Sequence, residues 1–201
     1  MNKSTASVCT RERLINAMSD TLQCKGFHAA GLSSLLEKAQ TPKGGLYHHF
    51  PQGKTALAIA AIENSVARIS AQLEYLQQQQ PEPIMVLQLW LAEAEKRLEQ
   101  SQFERGCPLA TAALESTAED IALRQALANG FGQLRQSLAR LLDQAGIASE
   151  RAQQLATLSV SAYEGALMQA RVAGNSIMLR DTTRLLLELI SRELPAQDTT
   201  V

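Results

Sequence analysis

Ten residues, Thr41-Pro42-Lys43-Gly44-Gly45-Leu46-Tyr47-His48-His49-Phe50, constrain this chain more than any other stretch. Thr41 offers a hydroxyl for a helix cap, and Pro42 suits a first helical position, where a missing N–H costs nothing. The segment is shorter than an ordinary globular helix of about three turns. It nevertheless carries two adjacent glycines, each unfavourable by roughly 1 kcal/mol against alanine inside a helix. Such glycines make sense where a bulky neighbour approaches the backbone. A DNA strand at a helix N-terminus is such a neighbour, because free N–H groups there attract phosphate. Leu46 and Phe50, four apart, share one face and anchor it inward. Lys43, Tyr47 and His48 are left for a partner. Taken alone, the ten residues also fit a capped surface turn with incidental glycines.

The preceding residues favour the first reading. Leu32-Ser33-Ser34-Leu35-Leu36-Glu37-Lys38-Ala39 reads as a short amphipathic helix, and Gln40-Thr41-Pro42 as a tight turn into the next one, which is helix-turn-helix spacing. With Gly26-Phe27 before it and Gly53-Lys54 after it, the stretch resembles the TetR family of one-component transcriptional repressors. Further on, Arg105-Gly106-Cys107-Pro108-Leu109-Ala110 running on to Leu114-Glu115, together with His48-His49-Phe50-Pro51, resembles the LmrA/YxaF-like branch of that family. The resemblance implies an all-α protein, with an N-terminal three-helix DNA-binding module carrying the helix-turn-helix in residues 1–54. A larger helical effector-binding and dimerisation domain would fill residues 55–201. It also implies a repressor of neighbouring transport or detoxification genes, bound to a (pseudo)palindromic operator as a homodimer and released by a small molecule. Two positions depart from the pattern. Gly31 stands where such modules carry a Ser or Thr cap, and Gln40 stands where the turn usually has Gly. Positive φ costs Gln more than Gly.

Charge is distributed accordingly. The whole chain is near neutral at −1, but residues 1–54 hold seven Lys/Arg against three Asp/Glu and all three histidines, a balance of +4. The remainder carries −5. A basic module on an acidic body is the footprint of a protein that touches phosphate at one end. Ala, Leu, Gln and Glu dominate and aromatics are scarce, which favours helix. No window approaches a membrane span or a signal peptide of ordinary form. Cys9, Cys24 and Cys107 are few, odd in number and widely spaced, as in a reduced cytoplasmic chain.

Apolar spacing and Gly/Pro breaks predict helices over about Thr10–Lys25, from Lys54 to about Gln80, Pro83 to about Gln100 and Ile121 to about Ala145. Two more follow, one capped by Ser149 and reaching about Ala173, the other running from about Ile177 to Leu194. Gln77–Gln80 with Pro81-Glu82-Pro83 reads as a linker, and Lys3 as an arm on DNA. In the last two helices Ala162, Gly165, Ala166 and Ala170 face a stripe of Leu179, Leu186, Leu187 and Ile190. Two such hairpins can pair into a four-helix dimer interface over residues about 149–194. The same stripes also suit the chain's own core.

If the resemblance holds, Thr41, Pro42, Lys43, Gly44, Tyr47, His48, His49 and Lys54 are the DNA-binding set. Lys43 would enter the major groove, Tyr47 and His48 would fix register on phosphates, and Lys54 would clamp another phosphate. An effector pocket would draw on Trp90, Cys107, Phe131, Tyr163 and Met168. Cys107 also admits a redox-responsive regulator, and the apolar stripes admit a protein-interaction scaffold without DNA binding. No nucleophile elbow, phosphate-cradling loop or zinc pair appears, so no enzyme activity, cofactor or metal is expected. His48 and His49 in particular diverge by about 100° on a helix, whereas a zinc pair needs i, i+4.

Overall fold

The computed structural model describes residues 9–80 and 82–195. The expected Lys3 arm and the Pro81 of the linker lie outside the described residues. Nine α-helices and no strand occur among the described residues. They are α1 (Thr10–Lys25), α2 (Leu32–Lys38), α3 (Lys43–His49), α4 (Lys54–Gln79), α5 (Pro83–Gln100), α6 (Pro108–Glu115), α7 (Ile121–Gln144), α8 (Ser149–Ala173) and α9 (Ile177–Ser191). None is long and apolar enough to cross a membrane.

The chain forms two compact units. The first holds residues up to Ser65 together with Pro108–Ala128; the second holds Val66–Cys107 and Asn129 onward. In the first, α1 packs against α2, α3 and α6. Its period-3.6 stripe Leu14, Ile15, Met18 and Leu22 is buried, and α2 and α3 contribute buried Leu35 and Leu46. Gly26 ends α1 at φ +83 with its N–H donated to the Thr21 carbonyl. In the second unit α9 lies against α8 and α5. Its buried face is Leu179, Leu186 and Ile190, opposed on α8 by residues that include Ala166, Leu167 and Ala170.

Several local expectations are corrected. Thr41 does not cap α3. Pro42 occupies the cap position at φ −69, ψ 158, and Thr41 is buried with its hydroxyl donated to the Ala39 carbonyl at 2.9 Å. The hydroxyl ties down the turn, and the helix starts one residue later. Ser149 is the first residue of α8, not its cap; its hydroxyl is donated to Asp143 instead. On α5 the enclosed residues are Val86, Leu87, Leu91 and Leu98, while Met85 and Leu89 are exposed. The stripes assigned to a dimer interface are largely spent within the chain, because Ala166, Ala170, Leu179, Leu186 and Ile190 are all buried here.

The turn between α2 and α3 closes as a complete Schellman motif. Thr41 N–H reaches the Leu36 carbonyl at 2.9 Å and Gln40 N–H reaches Glu37 at 2.9 Å, with Gln40 left-handed at φ +48. A residue with a Cβ is disfavoured there. Gln40→Gly is expected to raise the denaturation midpoint, adding about 0.5–1 kcal/mol. An unchanged or lowered midpoint would mean that Gln40 makes compensating contacts.

Candidate nucleic-acid interface and effector site

α3 divides cleanly into two faces. Leu46 is fully enclosed and Phe50, at its C-cap, is buried, while Pro42, Lys43, Gly44, Tyr47 and His48 are all exposed. Lys43 and Tyr47 are one turn apart, as are Gly44 and His48, so a cation, an open backbone and two hydrogen-bonding rings share one side. His49 is half-buried, its ring edge-on to His48 with centroids 4.9 Å apart. The two glycines differ in what they make room for. A Cβ on Gly45 would meet the Thr41 methyl at 2.7 Å, so that glycine serves the protein's own turn. A Cβ on Gly44 would meet nothing within 4 Å, which leaves its backbone open to an external neighbour.

Neighbouring elements hold this face in place. Arg13 Nε donates to the Ala39 carbonyl at 3.0 Å and ties α1 to the turn. The Arg11 guanidinium stands 5.4 Å from the centroid of the Phe50 ring, an exposed cation beside α3 that sequence reasoning missed. Lys54 is turned inward in this structure. Its ammonium lies 4.6 Å from the Phe27 ring centroid and 3.4 Å from the His28 carbonyl oxygen, to which it donates. Burial holds it below the usual lysine range, and the charge of Glu115 opposes that fall. These contacts explain how a lysine is accommodated at the first position of α4, where the helix dipole disfavours a cation.

Glu115, at the end of α6, was also missed. Its Oε2 accepts the His28 backbone N–H at 2.8 Å, and His28 Nε2 meets the Glu115 carbonyl oxygen at 3.1 Å. The carboxylate lies over Gly26, where an added Cβ would fall 1.9 Å from Oε1. Gly26 therefore serves two needs at once, a positive φ and the seat of a carboxylate. The sequence carries the glycine visibly, but nothing local says that a residue 89 positions later fills the space above it.

Within the second unit, three of the five expected effector residues come together. The Trp90 and Tyr163 rings lie with centroids 6.0 Å apart, inclined by 37°. Tyr163, Cys107 and Phe103 pack against a core of Leu98, Ala166, Leu167, Ala170 and Leu179. Burial, with Glu164 beside it, pushes the Tyr163 phenol far above its ordinary range. Phe131 is half-buried on α7, and Met168 is 52 % exposed on α8. Glu164 was missed. Its carboxylate accepts the Cys107 thiol, and burial raises its pKa to about 7 despite that bond. A lone acid inside Tyr163-Glu164-Gly165-Ala166-Leu167 was the available signal.

Residues 14–61 match the family described as bacterial regulatory proteins, tetR family, and residues 83–185 match the C-terminal domain of LmrA/YxaF-like transcriptional regulators. The HTH-type regulator YxaF of Bacillus subtilis is 30% identical over 186 residues, spanning 92% of this chain and 93% of that protein. The HTH-type regulator LmrA of the same organism is 26% identical over 183 residues, spanning 91% and 97%. Among solved structures, a TetR regulatory protein from Rhodobacter sphaeroides superposes with a TM-score of 0.79 at 24% identity, over 89% of this chain and 97% of its own. The matched families and relatives are transcriptional regulators, not enzymes.

Two outcomes test this geometry. Gly26→Ala is expected to lose more stability than Glu115→Ala, which strands one backbone donor and costs about 1–2 kcal/mol. In the double variant the part of the Gly26→Ala penalty that comes from the clash with the carboxylate should disappear, while the part that comes from φ +83 remains; strict additivity in the denaturation cycle would refute the contact. The second outcome concerns Glu164. Its folded pKa of about 7 lies above the ordinary carboxylate value of 4.5, so folding favours the protonated form. That contribution is complete below the lower value and is lost as pH rises through the upper one. Glu164→Gln should therefore gain stability relative to the parent from about pH 5 to about pH 8, by up to about 3 kcal/mol. Parallel pH profiles would contradict the desolvated carboxyl.

Proposed function

We propose that this chain, which belongs to the TetR family of bacterial transcriptional regulators and carries an LmrA/YxaF-like C-terminal domain, is a dimeric repressor that binds a (pseudo)palindromic operator and is released by a small-molecule effector. In this reading residues 1–54 form the DNA-binding domain and residues 55–201 the effector-binding and dimerisation domain. The observation that carries it is the exposed side of α3, where Pro42, Lys43, Gly44, Tyr47 and His48 lie together without burial. Lys43 enters the major groove and meets a guanine edge or a phosphate. Tyr47, His48 and the start of the Lys54 helix position the duplex through phosphates, with Thr41 and His49 shaping the turn and the helix end.

One seven-residue helix reads few bases, so specificity requires a pair. The dimer surface is assigned to exposed apolar residues of the last two helices, Leu158 and Val172 on α8 and Ile177, Met178 and Leu185 on α9. Val172 at 86 % exposure is the plainest case of an apolar side chain awaiting a cover. The effector acts by binding better to the spacing of recognition helices that DNA does not accept. Trp90, Cys107, Tyr163, Phe131 and Met168 remain the effector-binding set, with the first three supported by proximity. The redox alternative gains no support, because the Cys107 thiol is engaged with Glu164. A scaffold without DNA binding is not favoured by relatives that are transcriptional regulators.

The test is a fluorescence-anisotropy titration against DNA from the chain's own upstream region and against unrelated DNA, over a salt series. Specific binding with a steep linear fall of log K against log salt is expected. Lys43→Ala should weaken it and reduce the salt slope by about 1 if Lys43 meets phosphate, or relax the preference at one base pair if it meets a base. Equal affinity of parent and variant for all duplexes would overturn the assignment of α3.

A further inference from the structure

Among the described residues, two buried side-chain polar atoms lack a hydrogen-bond partner, Ser159 Oγ and Glu164 Oε2. Both sit on α8, fewer than two turns apart. The Glu164 side chain is not wholly enclosed, yet this oxygen is. A buried carboxylate oxygen without a donor is costly, and native proteins seldom leave one so. The interaction that shifts Glu164 against its burial is the Cys107 thiol, a weak donor.

The surroundings are aromatic. Trp90 and Tyr163 face one another at 6.0 Å, and Phe103 joins Tyr163 and Cys107 on the same core. Trp90, Phe103 and Tyr163 are each half-buried residues. An acidic oxygen short of a donor, on the residue next to Tyr163 and bonded to the Cys107 thiol of the same cluster, has a specific chemical complement. Ring quadrupoles attract a cation within about 6 Å of the centroid, and an N–H of the same ammonium supplies the donor that the oxygen lacks. A neutral aromatic compound gains only stacking there, and an anion meets the carboxylate's own charge.

We propose that Trp90, Tyr163 and Glu164 form the charge-reading part of the effector site, and that the effector is an amphiphilic organic cation, an ammonium carried on an apolar body. The inference rests on the ligand-responsive reading above and names its ligand class. Glu164 Oε2 and Ser159 Oγ, the latter one turn before Tyr163, are enclosed without a ligand, so binding uncovers them: the ammonium then pairs with Glu164 Oε2, and Ser159 Oγ meets a hydroxyl or amine further along the ligand. An enclosed water bridging the two orphan atoms is the rival occupant, and it would confer no preference among ligands by charge.

Trp90 is the only tryptophan in the sequence, so its emission reports on the site directly. The full-length protein is titrated with three probes of similar size: 3-phenylpropylammonium, 3-phenylpropanol and 3-phenylpropionate. The cation is expected to change Trp90 emission saturably and to bind roughly tenfold more tightly than the alcohol, with the carboxylate weakest, the margin of about one desolvated charge contact. Glu164→Gln, checked for a cooperative melting transition, should remove that margin and leave the alcohol unchanged. A parent protein that binds the alcohol or the carboxylate as well as the cation, or that shows no saturable change with the cation, overturns the proposal. So does a folded Glu164→Gln that keeps the cation preference. The ranking in the parent protein decides the matter even if the variant fails to fold. The same samples are titrated onto DNA. Sequence-specific binding without cation selectivity sinks this inference and leaves the repressor standing, whereas cation selectivity without sequence-specific binding supports this site and sinks the repressor reading.

Discussion

The Glu115 carboxylate accepting the His28 N–H is the contact on which the recognition unit depends. It is a charge-assisted bond to backbone, stronger than a neutral one, and it covers Gly26, the residue that lets α1 turn back at φ +83. Lys54 closes the same turn from another side through the Phe27 ring and the His28 carbonyl. Three residues between α1 and α2 are thereby gripped by an acid from α6 and a base from α4. The direction in which α2 and α3 leave is set by that grip as much as by the apolar core of Leu14, Met18, Leu22, Leu35 and Leu46. A short helix of two glycines has little stability of its own. It persists because Leu46 and Phe50 are buried and the turn before it is fully hydrogen-bonded.

The second unit solves a different problem. Its core is built from small residues on α8 against leucines on α9, which lets the two helices pack closely. Into that apolar setting it admits an ionisable group, Glu164, whose only opposing influence is the Cys107 thiol. A group held this way is balanced between charged and neutral forms near neutral pH, and a small chemical change in its surroundings moves it either way. Such a group is expensive as mere filling and useful as a sensor. The strained backbone of Gln102 and Phe103, at φ +52 and +62, lies in the loop that brings Phe103 to the same cluster.

Much of the architecture was legible because it is periodic. The stripe of α1, the break at Gly26 and the exposed set on α3 follow from local spacing, and Gln40 is indeed left-handed where the sequence pattern implied positive φ. The misreadings have a common physical origin. Thr41 and Ser149 have the side chains of caps, but each hydroxyl found a better acceptor nearby. The α8 and α9 stripes suit a partner and the chain's own core equally, and sequence period cannot distinguish a neighbour in the same chain from one in another. Glu115 gave no local sign of its role and Glu164 only that of a lone acid in an apolar run, because the meaning of each lies in a contact between distant segments, His28 for the one and Cys107 for the other.

The claim that organises all of this is that α3 reads DNA in symmetric pairs. The most direct measurement is selection of bound duplexes from a random library by the full-length protein, followed by sequencing. Two-fold symmetric half-sites, centred one helical turn or a multiple of it apart, about 34–36 Å per turn, are the expected result. A library that stays unenriched at low salt, or that yields a single asymmetric site, would contradict the account.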